Sequence, residues 1–160
     1  WCMPGGQIAF YEGIMPVCMN EAGVAVVMGH EIAHAIAQHG HVRMSQQLII
    51  QTGGAVLSES LKNQKEQTMQ LAALAFGVGS KLGVELPYSR MHESEADELG
   101  LYFMAMAGYN PEEAPIFWER MEAQGGQRMP EILSTHPDPG NRINALKKHM
   151  PKALEYYNAK

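Results

Sequence analysis

Cysteine is scarce in this chain: Cys2 and Cys18 are the two found in 160 residues. That excludes a disulfide-rich scaffold and a four-cysteine zinc site, while leaving room for one bridge. Positive charge is thin and scattered, with 12 Lys and Arg against 17 Asp and Glu and a formal net charge of −5. Such a distribution offers no basic stripe for nucleic acid or for an anionic membrane surface. Long hydrophobic runs are missing as well. The longest nearly apolar stretch, Leu71 to Gly79, falls well short of the roughly 20 residues that a membrane-spanning helix needs. The chain opens Trp1-Cys2-Met3-Pro4 without initiator Met or apolar leader, so a trimmed fragment of a longer protein is expected, its N-terminal segment absent.

What is present is apolar enough to fold: 46% of the residues are hydrophobic and 18% charged, which suits a single domain over residues 1–160. Strand signals are confined to the start. There the Pro4-Gly5-Gly6 turn precedes Gln7-Ile8-Ala9-Phe10-Tyr11, whose alternation predicts a short half-buried strand. Helical spacing dominates the rest. Asn20 is placed to cap a first helix that runs to Gly40, with apolar Val24, Val27, Met28, Ile32 and Ile36 on its period. Further helices are expected over Met44–Leu61, Glu66–Leu82, Arg90–Ala107 and Pro111–Gln124, with a last one from near Asn141, and Pro87 is read as a break in the chain. The expected class is α+β, predominantly helical, with a small edge sheet. The 12 Met residues read as adaptable core filler.

The first helix carries Gly29-His30-Glu31-Ile32-Ala33-His34. Residues four apart lie on one helical face, so His30 and His34 can reach one metal ion. A catalytic zinc takes three protein ligands and leaves a fourth position to water. Glu31 is placed to take a proton from that water and pass it to a leaving amine, which makes it a general base and not a ligand. The third ligand is sought in Arg90-Met91-His92-Glu93-Ser94-Glu95-Ala96-Asp97-Glu98-Leu99-Gly100. At about 100° per residue Glu93 and Asp97 share a face, whereas Glu95 and Glu98 turn toward solvent. Glu93 is therefore the expected ligand and one Zn2+ per chain the expected cofactor. Asp97 can accept the other ring N–H of a ligating His, and small Ala96 and Gly100 permit close helix approach. Activity should fall below about pH 6, as protons compete for the two imidazoles.

The remaining histidines divide. His39 and His41 are read as capping the end of the first helix, His92 lies beside the proposed ligand, and His149 reads as an ordinary terminal-turn residue. His136 sits before Pro137 in Ser134-Thr135-His136-Pro137-Asp138-Pro139-Gly140. That loop could present the ring to the metal or to a developing oxyanion, or simply carry a surface histidine.

Taken together, these motifs resemble the gluzincin metalloprotease family of HtpX, the CAAX prenyl proteases and the periplasmic BepA and LoiP proteases. The likeness rests on Pro4-Gly5-Gly6 with its strand, Asn20-Glu21-Ala22 leading into His30-Glu31-Ile32-Ala33-His34, Glu93 to Gly100, and Thr135-His136-Pro137 with Arg142-Ile143. The resemblance implies zinc ligation by His30, His34 and Glu93, catalysis by Glu31, supporting roles for Asp97 and Arg142, and a His136 that stabilises a transition state or gates the metal. It also implies that Gln7, Ile8, Ala9, Phe10 and Tyr11 pair as an edge with an extended substrate. The glycine-interrupted, polar segment from His41 to Leu86 favours the soluble envelope branch. The implied function is endopeptidase cleavage of misfolded or misassembled cell-envelope proteins in the periplasm or cell envelope. Envelope or outer-membrane assembly proteins are implied partners, nucleic acid is not, and a lipid anchor would lie in the absent N-terminal segment. The competing reading is a chaperone-like client-binding module whose metal site His136 keeps latent.

Overall fold

The computed structural model describes residues 1–3, 5–123 and 141–159. A 3-10 turn, Glu12–Ile14, leads into the short helix α1, Met15–Cys18, and then α2, Glu21–Ile36. Next come α3, His39–Ser60, and α4, Glu66–Ser80, followed by a π-helical turn, Lys81–Glu85. The long α5, Leu86–Ala107, α6, Glu113–Ala123, and α7, Arg142–Asn158, complete the order. The chain is mostly helical, and two compact units contain these elements, Trp1–Gln38 with Arg90–Lys160, and His39–Ser89.

In the first unit the core is formed by the inner faces of α1, α2, α5, α6 and α7, with Val26, Leu101, Met104, Phe117, Trp118 and Leu146 buried at its centre. α2 starts where it does because Asn20 turns out of helical geometry and its Oδ1 accepts from Gly23 N–H at 2.8 Å, satisfying one of the donors that a helix start leaves open. Arg120 of α6 holds the preceding turn, donating to the Val17 carbonyl at 3.0 Å and to Glu113 at 2.6 Å. α2 and α5 cross with almost no space between their backbones. A Cβ added at Gly29 would stand 2.5 Å from the Gly100 carbonyl oxygen, and one at Gly100 would stand 2.7 Å from His30 N. Only glycine at both positions allows this approach.

In the second unit α3 and α4 pack on each other where the Phe76 ring covers Gly53 and Gly54. Much of its apolar surface stays exposed, including Leu48, Ile49, Leu71 and Leu74. No helix among the described residues is long and apolar enough to cross a membrane.

Several elements differ from the sequence reading. The strand expected over Gln7–Tyr11 does not form: among the described residues there is one isolated antiparallel bridge, Cys2 with Ile8. Alternation alone cannot make a sheet without a partner, and the nearest available backbone is the three-residue stretch before the turn. Trp1 already exchanges both its backbone hydrogen bonds with Ala9, at 3.0 Å each, and Phe10 packs inward on the core. α2 also stops four residues early, because Gln38 adopts a left-handed φ of 56°. His39 and His41 consequently lie in the first turn of α3, where a positive ring is disfavoured by the dipole, and the capping role assigned to them is withdrawn. Pro87 does not break the chain. It lacks the N–H that would bond back to Gly83, and the wider π turn before it, closed by Leu86 N–H on the Lys81 carbonyl, absorbs the mismatch. His149 lies in the middle of α7, with Nδ1 3.2 Å from Tyr102 Oη and 3.3 Å from Glu98 Oε1. Cys2 and Cys18 are both free thiols.

Candidate metal centre

Three donor atoms converge where α2 crosses α5. His30 Nε2 and His34 Nε2 are 3.1 Å apart. Glu93 approaches both with its two oxygens, Oε2 at 3.4 Å from His30 Nε2 and Oε1 at 3.4 Å from His34 Nε2. The helical repeat places the two imidazoles on one face of α2, and the Gly29–Gly100 crossing brings Glu93 on α5 up to them. A tetrahedral zinc ion with donors at about 2.0–2.1 Å has donor–donor edges of about 3.3–3.4 Å. The spacing here is close to that requirement, with the His–His distance slightly shorter and each imidazole approached by a different Glu93 oxygen, and two imidazoles with one carboxylate are a donor set that zinc favours. The three side chains therefore fit a zinc ion, and they are the group of metal-ligating type found among the described residues.

Surrounding groups orient this triangle. The other ring nitrogen of His30, Nδ1, lies 2.9 Å from Asp97 Oδ1. An acceptor there keeps the proton on Nδ1 and leaves the Nε2 lone pair facing His34 and Glu93. Arg142, at the start of α7, bridges the two α5 carboxylates, with Nε donating to Asp97 Oδ2 at 2.5 Å and Nη2 donating to Glu93 Oε2 at 2.9 Å. Burial of His30 works against a charged ring. The hydrogen bonds that the ring donates to Asp97 and Glu93, and the negative charge they carry, outweigh it and push its pKa up to about 9.

The side chains of His30 and Glu93 are 3% and 4% exposed and that of His34 is 16% exposed, so His34 is the most accessible of the three. Glu31 is buried one residue after His30 and stands outside the three-donor group. Glu95 is exposed, whereas Glu98 is partly covered and accepts from Tyr102 Oη at 3.0 Å. His136 lies outside the described residues.

One residue at the centre escaped the sequence reading. Trp118 of α6 is buried and stacks on the Arg142 guanidinium, 3.8 Å from Cζ to ring centroid, while its ring also meets that of His30 at 6.0 Å and 67°. No short-range pattern could have shown this, since Trp118 lies far along the chain from His30 and reads only as one apolar position of a helix.

Comparison with known proteins identifies the family. A model of Peptidase family M48 matches residues 1–150. The mitochondrial metalloendopeptidase OMA1 of Saccharomyces cerevisiae is 35% identical over 161 residues, covering 97% of this chain and 44% of the relative. Human metalloendopeptidase OMA1, mitochondrial, is 32% identical, covering 96% of this chain and 30% of the relative. The β-barrel assembly-enhancing protease of Escherichia coli is 30% identical, covering 87% and 29% respectively. The chain thus spans less than half the length of these curated relatives. No solved structure matches it. With the family model covering nearly the whole chain and the zinc-type donors in place, the chain belongs to Peptidase family M48, whose members are zinc metalloendopeptidases.

Proposed function

We propose that this chain is the catalytic part of a zinc endopeptidase that hydrolyses internal peptide bonds of misfolded or misassembled cell-envelope proteins. The observation that carries the reading is the convergence of His30, His34 and Glu93: the two Nε2 atoms are 3.1 Å apart, and each lies 3.4 Å from one of the two Glu93 carboxylate oxygens. Zinc, when held by these three donors, supplies Lewis-acid polarisation of a carbonyl and acidifies a water molecule. The protein's own residues do the remainder. Glu31 accepts a proton from the attacking water and returns it to the departing amine. Asp97 holds His30 in the tautomer that ligates, and Arg142 bridges the two α5 carboxylates, offsetting part of their charge and satisfying one oxygen of each. His136 is assigned transition-state stabilisation, or reversible blocking of the metal, on the support of its Thr135-His136-Pro137 setting.

The envelope substrate class takes its support from the name of the Escherichia coli relative, and the mitochondrial relatives supply the alternative compartment. The test is degradation of casein with and without chelator, beside a Glu31→Gln variant. The expected outcome is full zinc content in Glu31→Gln with turnover lower by about 10²–10⁴-fold. Turnover surviving that substitution would overturn the mechanism.

A further inference from the structure

We propose that Trp118 is a positioning residue of the metal centre, acting through Arg142 to hold Glu93, Asp97 and His30 in ligating geometry; the inference rests on the zinc reading above. Arg142 is gripped along one side only. Its Nε and Nη2 bond to Asp97 Oδ2 and Glu93 Oε2, and its buried Nη1 has no hydrogen-bond partner among the described residues. A planar cation held at one side by two carboxylates can still tilt about that side, and any tilt carries Glu93 with it. The indole face of Trp118, 3.8 Å from Cζ, sets the plane of the guanidinium. Stacking on a buried aromatic face restrains and stabilises arginine in a way that lysine cannot reproduce.

The same ring reaches the other end of the relay. Its contact with the His30 ring at 67° backs the imidazole whose Nδ1 meets Asp97. Trp118, His30 and Asp97 also line a void of about 10 Å³, otherwise bounded mainly by apolar residues such as Val26 and Leu101. That size is at the lower limit for one water molecule. Truncating the indole would enlarge it and admit water that competes for Asp97 and Arg142. One aromatic side chain therefore fixes the plane of the clamp, supports the first ligand and limits the space behind both.

The experiment measures zinc dissociation by competition with a chromogenic chelator, below the melting temperature of each protein. Trp118→Leu removes the stacking face and keeps an apolar side chain of smaller volume, Trp118→Tyr restores an aromatic face, and Phe117→Leu is the control. Phe117 is fully buried and packs against Trp118, with ring centroids 5.2 Å apart. Trp118→Leu should weaken zinc binding about tenfold, Trp118→Tyr should recover it to within about threefold, and Phe117→Leu should lower the melting temperature with zinc affinity unchanged. In an Arg142→Lys background, where the stack is already lost, Trp118→Leu should add less than about twofold. Wild-type affinity in folded Trp118→Leu, or full additivity with Arg142→Lys, overturns the inference and leaves the zinc reading intact. Failure of the wild-type protein to bind zinc overturns both. Should Trp118→Leu not fold, Arg142→Lys alone reads the relay from its other end, and unchanged affinity there refutes it.

Discussion

Gly100→Ala is the sharpest perturbation that the fold offers, because it adds one methyl group where two helices touch through their backbones. The new Cβ would stand 2.7 Å from His30 N, 2.8 Å from Gly29 C and 2.9 Å from His30 Cα, against the 3.4 Å at which ordinary contact begins. Backbone cannot swing aside as a side chain does, so α2 and α5 must separate by about 0.7 Å, the difference between 3.4 and 2.7. A catalytic constellation tolerates about 0.5 Å, and 1 Å of misplacement can cost about 10²-fold in rate. Stability changes less. Overpacking costs about 1–3 kcal/mol, and alanine's better helix propensity offsets about 1 kcal/mol of that. The expected variant folds with a slightly lower melting temperature by circular dichroism, yet binds zinc weakly and turns over casein roughly 10²-fold more slowly. Gly77→Ala, which meets nothing within 4 Å, should be neutral or stabilised and keep full activity. A folded Gly100→Ala protein with wild-type zinc affinity and turnover would refute the claim that this crossing sets the ligand geometry.

Zinc binding should be tied to a single proton. Because His30 titrates at about 9 in the metal-free protein, binding between pH 6.5 and 8.5 displaces its proton, and apparent affinity should rise by about tenfold per pH unit over that window. Calorimetry in buffers of different ionisation enthalpy would read this, and a flat profile would contradict it. The stability of the metal-free protein runs the opposite way. A raised folded-state pKa contributes stability that is full below about pH 6.5, the unfolded value, and lost as pH rises through about 9, so its melting temperature should fall across that range. Arg142→Met should leave two buried carboxylates without their cation. That costs about 3–5 kcal/mol, or roughly ten degrees of melting temperature, with a smaller loss once zinc is bound. His136→Ala should lower peptidase activity if the ring stabilises the transition state, and raise it if the ring blocks the metal. Unchanged activity would remove both roles.

The pairing of His30 with His34 was legible because it depends on one helix: four residues make one turn, and Asn20 at its start is a local capping signal. Glu93 was reachable by the same arithmetic, since helical angle separates it from Glu95 and aligns it with Asp97. The early strand was misread because alternation describes a face and says nothing about a partner. The end of α2 was misread because Gln38 takes a left-handed conformation that its residue type does not announce. Pro87 looked like a break because a local rule cannot anticipate a π turn that accommodates it.

What the sequence by itself determined is therefore the chemistry of the donors and their grouping within each helix, quantities governed by hydrogen bonds and side-chain periodicity over a few residues. Only the tertiary structure decided that α2 and α5 meet at Gly29 and Gly100, that Arg142 joins both α5 carboxylates, and that Trp118 backs the clamp. Those contacts join residues tens of positions apart, and they follow from how buried surfaces fit together, which no local pattern encodes.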